Sequence, residues 1–296
     1  GEASLDWDAD VLLDIADTVD LTEFWKPDEL DKLVKGWRDT PDADIVPSID
    51  KADELRKKWG VELGQLWKLG EHKIICGDCT DADVVARLMD GEKAVLVHAD
   101  PPYGMGLETD FSKMPPPGFA LPTLKANKFD KVIGDDKPFD IRQVKGCESS
   151  EQFWWGGDWY YENLPSGGSW IVWDKRTEKS DNLMGNSFEM CWSKTKHRRE
   201  FIRHYWKGFI NKDVGESERY HPTQKPRPVI EFILKKYTAL HSIVYDPFVG
   251  SGTTLIACET LDRKCRAIDI ESKYVAVTLE RWATYTGQQP ELILQI

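Results

Sequence analysis

From Trp59 onward the chain alternates short apolar runs with segments of helical spacing. HKIIC (72–76), AVLVHA (94–99), SWIVWD (169–174), SFEMCWS (187–193), SIVYDPF (242–248) and CRAIDI (265–270) predict strands. DADVVARLMD (81–90), RPVIEFILKKYT (227–238) and GTTLIACETL (252–261) predict helices. Strands that are apolar almost throughout, interleaved with helices, predict an α/β fold whose mostly parallel sheet is covered on both faces. Residues 1–58 differ: amphipathic pieces such as DVLLDIADTV and KPDELDKLVKGW stand in an acidic background, predicting a helical arm and linker ahead of one domain over 59–296. The stretch 104–128 has no period and contains three consecutive prolines, which predicts a long mobile loop.

The 296 residues, 41% of them hydrophobic, suffice for one large α/β domain. No apolar run has the length of a membrane span and no signal-peptide pattern opens the chain. Gly1 rather than Met stands first, so the expectation is a piece of a longer protein. Six cysteines in so long a chain do not form a disulfide framework, and a reducing cytoplasm is the expected compartment. Cys76 and Cys79 make one Cys-x-x-Cys, but no second pair follows at zinc spacing, so no metal site is predicted. The net charge of −12 argues against nucleic acid only until it is divided along the chain. Residues 1–54 hold 17 acids and 5 bases, whereas residues 191–236 hold 12 bases and 5 acids.

VYDPFVGSGTTLIACETL runs from a strand through Asp246 and a turn bearing Gly250 and Gly252 into a helix. Such a turn lets the backbone approach a ligand closely. Asp269, 19 residues beyond Gly250 at the end of the next strand, stands where an acid grips a ribose diol. NAD, a nucleotide sugar or S-adenosylmethionine all fit this segment; ATP does not, since the Lys-Ser/Thr of a phosphate loop is missing. Phe248 within the turn predicts an aromatic wall.

A second strand ends in HADPPYG (98–104). The exocyclic amine of a nucleobase is a poor nucleophile because its lone pair is delocalised into the ring. Acceptors that take both of its N–H bonds draw the nitrogen toward tetrahedral geometry, and the Asp100 carboxylate with the Pro101 carbonyl would do this. Pro101 and Pro102 fix the backbone direction, and Tyr103 offers a face on which an extruded base can stack.

Together these segments resemble the amino-methyltransferases that act on adenine or cytosine in DNA, over about residues 60–296. Asp100-Pro101-Pro102-Tyr103 matches the catalytic tetrapeptide and Asp246 to Thr254 the cofactor turn. HPTQKPRPVIEFIL (221–234) matches the segment preceding that turn, and CGDCTD (76–81) a Gly-Asp segment upstream of the tetrapeptide. With the tetrapeptide first, the order resembles the β class. It departs from protein glutamine methyltransferases, which place the cofactor turn first. The resemblance implies a Rossmann-like S-adenosylmethionine-dependent methyltransferase fold with circularly permuted motif order. It implies that Asp246, Phe248, Gly250, Gly252 and Thr253 line the cofactor site and that Asp269, with Glu271 as the alternative, takes the ribose. Asp78 would lie near the cofactor adenine, while Thr223 and Lys225 would hold its carboxylate end. Adenine is favoured over cytosine because cytosine members more often begin the tetrapeptide with Ser.

The phrases GQLWKLGEHKIICGDCTD and SFEMCWSKTKHRRE resemble phage or prophage methylases with a ParB-like domain upstream. A homodimer is a further implication of the class, and no nuclease-like segment accompanies the motifs. Between the two motifs, CWSKTKHRREFIRHYWKGFINK (191–212) interleaves Lys194, Lys196, Arg198, Arg199, Arg203 and Lys207 with aromatic residues. This predicts phosphate contacts within a target-recognition region over 191–220. The competing functions are a DNA-binding accessory protein without turnover and a methyltransferase acting on RNA or protein.

Overall fold

A computed structural model describes residues 52–106, 133–176, 186–204 and 225–294. The expected loop 104–128 therefore lies largely outside the described residues, as do the acidic arm up to residue 51, Thr223 and Lys207.

Among the described residues ten strands form one sheet: β1 (Leu66–Leu69), β2 (His72–Cys76), β3 (Leu96–Ala99), β4 (Glu151–Trp155), β5 (Ser169–Asp174), β6 (Phe188–Ser193), β7 (Glu200–Arg203), β8 (Ile243–Asp246), β9 (Lys264–Asp269) and β10 (Glu291–Leu294). Their spatial order is β10-β1-β2-β9-β8-β3-β4-β6-β5-β7. The central run β2-β9-β8-β3-β4 is wholly parallel, and only β1 and β6 run against the others. All six predicted strands form: β2 and β5 with the expected bounds, β9 shifted by one residue, and β3, β6 and β8 shorter.

The parallel strands alternate their side chains between two cores, as a period of two requires. Ile74, Leu96, Phe153, Trp155, Val244 and Ala267 enter one core; Ile75, Val97, Trp154, Tyr245 and Ile268 enter the other. Helices α1 (Ala52–Trp59), α3 (Arg227–Tyr237), α4 (Thr253–Thr260) and α5 (Ser272–Thr286) supply the first core, and α2 (Ala82–Met89) the second. The helix α2 starts where the Asp81 side chain accepts the Asp83 N–H and stops at Asp90, whose φ is 48°. Its Val84, Val85, Leu88 and Met89 make one buried face. The α4 segment is buried along Thr253–Cys258, which explains its even apolar texture.

The helix α1 begins within the segment expected to be arm and linker. Its Ala52 and Leu55 are buried, and Lys58 Nζ and Trp59 Nε1 both donate to Glu280 of α5. The packed core thus starts at least seven residues before Trp59. The strand β4 also escapes the periodicity reading: its five residues are buried without alternation of polarity. The indoles of Trp154 and Trp155 find Gln152 Oε1 and His98 Nε2 as acceptors, each at 3.0 Å.

Candidate active site

The carboxyl ends of β2, β9, β8, β3 and β4 lie side by side, and the chemistry-bearing segments leave from there. Such an edge is where open parallel sheets bind ligands. The pairing of β3 with β8 sets Leu96 beside Val244 and Val97 beside Tyr245. Continued outward, that register carries Asp100 level with Phe248, so the tetrapeptide and the glycine turn meet across one strand spacing. Between them opens a cavity of about 500 Å³, walled by Asp78, Asp100, Pro101, Pro102, Tyr103, Phe248, Gly250, Asp269 and Glu271. A smaller recess between His98, Asp100, Lys225, Asp246, Gly250 and Thr253 adjoins it.

The glycine turn is braced from behind. Asp246 Oδ1 accepts the Phe248 N–H at 2.9 Å, Thr278 Oγ1 donates to Gly250 O at 3.0 Å, and the buried Arg281 guanidinium donates to Ser251 O at 2.9 Å and Thr253 Oγ1 at 3.0 Å. Gly252 holds φ of 86° beside α5, where an added Cβ would stand 2.8 Å from Thr278 Cγ2. Phe248 stands in an aromatic wall, its ring centroid 5.5 Å from that of Phe139.

Asp269 has a double task. Its Oδ2 accepts the Gly250 N–H at 2.9 Å and its Oδ1 the Glu271 N–H at 2.8 Å, which staples β9 to the glycine turn. Burial pushes its carboxyl up to about 7, with the two backbone N–H groups opposing. Each oxygen keeps a second lone pair for a ligand. Glu271 shares the wall and pairs with Lys273 at 3.2 Å. Asp78 folds an Asx turn, accepting from Thr80 N and Thr80 Oγ1 at 2.8 Å each.

At the tetrapeptide, Tyr103 Oη donates to Asp100 Oδ1 at 2.7 Å, and Lys225 Nζ lies 2.6 Å from Asp100 Oδ2. Burial raises the Asp100 carboxyl, an effect Lys225 opposes only in part. Sequence reading missed Glu189 of β6, whose Oε2 lies 3.2 Å from Lys225 Nζ and whose Oε1 pairs with Lys175. Burial would raise Glu189, but the two lysines more than offset this and hold it below the usual carboxylate range. The signal was present: Glu189 is the one charged residue in SFEMCWS. His98 was missed too. Its Nε2 accepts from Trp155, so Nδ1 carries the proton and faces Thr254 Oγ1 at 3.0 Å and Asp246 Oδ2 at 3.8 Å.

Lys225, expected at the carboxylate end of a cofactor, lines the small recess beside Asp246 and has its ammonium on Asp100, Glu189 and Tyr103. The basic patch does not form one face. Since β6 runs against its neighbours, the residues that follow it, Lys194, Lys196, Arg198 and Arg199, lie at the amino edge of the sheet, a strand length of roughly 17 Å from the cavity edge. There Lys194 Nζ donates to Ser149 O at 2.7 Å. Arg203 ends β7 in register with Asp174, at the carboxyl edge, with its guanidinium over the Phe201 ring. Cys76 and Cys79 are buried thiols pushed up to about 12 by burial, and Cys79 lines the cavity.

Residues 159–280 match the N6/N4 DNA methylase family. Among curated relatives, the Type II methyltransferase M2.LlaDCHI of Lactococcus lactis subsp. cremoris is 32% identical over 39% of this chain and 43% of its own length. The Type II methyltransferase M.HinfI of Haemophilus influenzae is 24% identical over 70% of this chain and 67% of its own. The match to M2.LlaDCHI thus spans less than half of that relative. Among solved structures, the cytosine-N4-specific PvuII DNA methyltransferase shows 13% identity and a TM-score of 0.46 over 76% of this chain and 94% of its own. The segment 159–280, which carries the glycine turn and Asp269, matches the N6/N4 DNA methylase family, in a chain similar to the Type II DNA methyltransferases.

Proposed function

We propose that the protein is an S-adenosylmethionine-dependent DNA methyltransferase that acts on the exocyclic amine of an extruded base, adenine N6 in preference to cytosine N4. The observation that carries this reading is the shared cavity: Asp100 and the glycine turn line one space from two adjacent strand ends.

The cavity fits the cofactor. Its volume lies in the range of small-molecule sites, and the side of Gly250 where a Cβ would project is open. Asp269 and Glu271 would take the ribose, Asp78 the adenine edge, and Phe248 would wall the ring. Asp246 would take the amino group of the methionine end in the small recess. When bound, S-adenosylmethionine supplies a sulfonium methyl: the amine lone pair forms the N–C bond as the S–C bond breaks, and sulfur keeps that electron pair as a neutral thioether. Asp100 Oδ2 and the Pro101 carbonyl orient the amine, and Tyr103 lends its ring to the base. The alkylated nitrogen is cationic, so Asp100 needs only to accept its proton or pass it to water.

The test is transfer of labelled methyl to duplex DNA, followed by mass spectrometry of the nucleosides. Label in N6-methyladenine, lost in Asp100→Ala, is the expected result. N4-methylcytosine alone overturns the choice of base. Label on RNA or protein but not DNA, or on nothing, overturns the DNA-methyltransferase reading.

A further inference from the structure

We infer that Lys225 is a positioning residue of the methyl-transfer centre: it is the counter-ion that keeps Asp100 ionised and aimed at the target amine, in competition with Glu189, and it is not a cofactor ligand. This rests on the reading proposed above and assigns the centre a second carboxylate that the sequence motifs do not include.

A lysine ammonium has three N–H donors and no acceptor. Nζ of Lys225 donates to Tyr103 Oη at 3.1 Å and forms ion pairs with Asp100 Oδ2 at 2.6 Å and Glu189 Oε2 at 3.2 Å. The ammonium also lies 5.0 Å from the Trp155 ring centroid and 5.8 Å from that of Tyr103. That indole is itself fixed by its bond to His98. Lys225 is 5% exposed, so water does not complete its shell. A cofactor carboxylate at this ammonium would meet Asp100 and Glu189 as two negative charges already beside it.

The charges explain why such an arrangement is needed. A carboxylate at the edge of a buried cavity favours its neutral form, and a protonated Asp100 would present a donor where the amine needs an acceptor. Lys225 opposes that protonation at 2.6 Å, the shortest of its own contacts. Glu189 acts against it, as a second negative charge competing for the same ammonium. Lys175 in turn pairs with Glu189, so two lysines face two carboxylates and the cluster is neutral. Among the described residues, the other titratable groups near Asp100 are Tyr103 on its own segment, Tyr160 and Asp158 beyond β4, Cys191 on β6, and Asp246 and His98 in the recess, the latter accepting from Trp155 at Nε2. None of them carries positive charge. The geometry also orders events on Asp100: Tyr103 occupies one lone pair on Oδ1 and Lys225 one on Oδ2, which leaves the outer lone pairs for the amine.

The experiment is a carbon-detected NMR titration of the Asp100 carboxyl, assigned by Asp100→Asn, in the full chain without DNA or cofactor. It is run beside calorimetric binding of S-adenosylmethionine. In Lys225→Met the Asp100 midpoint rises by about 1 unit or more, and in Glu189→Gln it falls. The double variant returns toward the wild type, and Lys225→Arg stays near it. Cofactor affinity stays within about threefold throughout, less than the tenfold that one pKa unit represents. An unmoved Asp100 midpoint, or a loss of cofactor affinity above about tenfold in Lys225→Met, overturns the inference. Should Lys225→Met not fold, Glu189→Gln decides by the sign of its shift. A wild type that transfers no methyl group to DNA fails the functional reading instead, and leaves the titration to judge the ion pair.

Discussion

Replacing Gly156 by Ala tests whether the tetrapeptide depends on a surface that β4 supplies. Gly156 follows Trp155 with φ of 68°, and an added Cβ would stand 2.3 Å from Tyr103 Cε1 and 2.4 Å from its Cζ. Ordinary carbon contact is about 3.5–4.0 Å, so the ring must retreat by more than about 1 Å. Tyr103 cannot do so and keep its hydroxyl 2.7 Å from Asp100, because a retreat of that size puts the oxygen beyond hydrogen-bond range. Two costs follow. The left-handed backbone costs about 1–2 kcal/mol in a non-glycine residue. The lost bond to a charged acceptor is worth about 1.5–3 kcal/mol, which corresponds to roughly a 10- to 150-fold loss of methyl transfer if the bond orients Asp100 in the transition state. The assay is single-turnover transfer to duplex DNA, with thermal melting and calorimetric cofactor binding as controls. The expected result is a large fall in rate, a modest fall in melting temperature and unchanged cofactor affinity. A folded Gly156→Ala protein that transfers methyl within twofold of the wild type would refute the reasoning.

Two more perturbations separate structural from functional roles. Asp269 titrates near 7 in the folded state against 3.8 as its ordinary value, so the native protein holds the extra proton between these pH values. Its stabilising contribution is complete below about 4 and is lost as pH rises through about 7. Asp269→Asn should flatten that decline in melting temperature, and parallel curves for the two proteins would count against the assignment. For DNA, Arg203→Ala at the cavity edge should lower the slope of log affinity against log salt by about 1, whereas Arg198→Ala with Arg199→Ala at the opposite edge should leave it unchanged. The reverse pattern would place the duplex on the amino edge.

Strand and helix positions were legible from residue order because they depend on local periodicity. Six apolar runs became strands and three helical segments became helices. The two signature turns were legible for a related reason: glycine at Gly252 and the Asp-Pro-Pro-Tyr run answer to backbone constraints a few residues long. What no local pattern contains is strand direction and neighbourhood. The chain alone could not tell that β6 runs against β4 and β5, yet that reversal sends Arg198 and Arg199 away from the cavity and brings Glu189 into it. Nor could it tell that Lys225, 125 positions after Asp100, ends within 2.6 Å of it. Periodicity is written into neighbouring residues by the geometry of one strand or helix. The pairing of distant charges depends on which edges of the sheet come together, and only packing of the whole chain decides that.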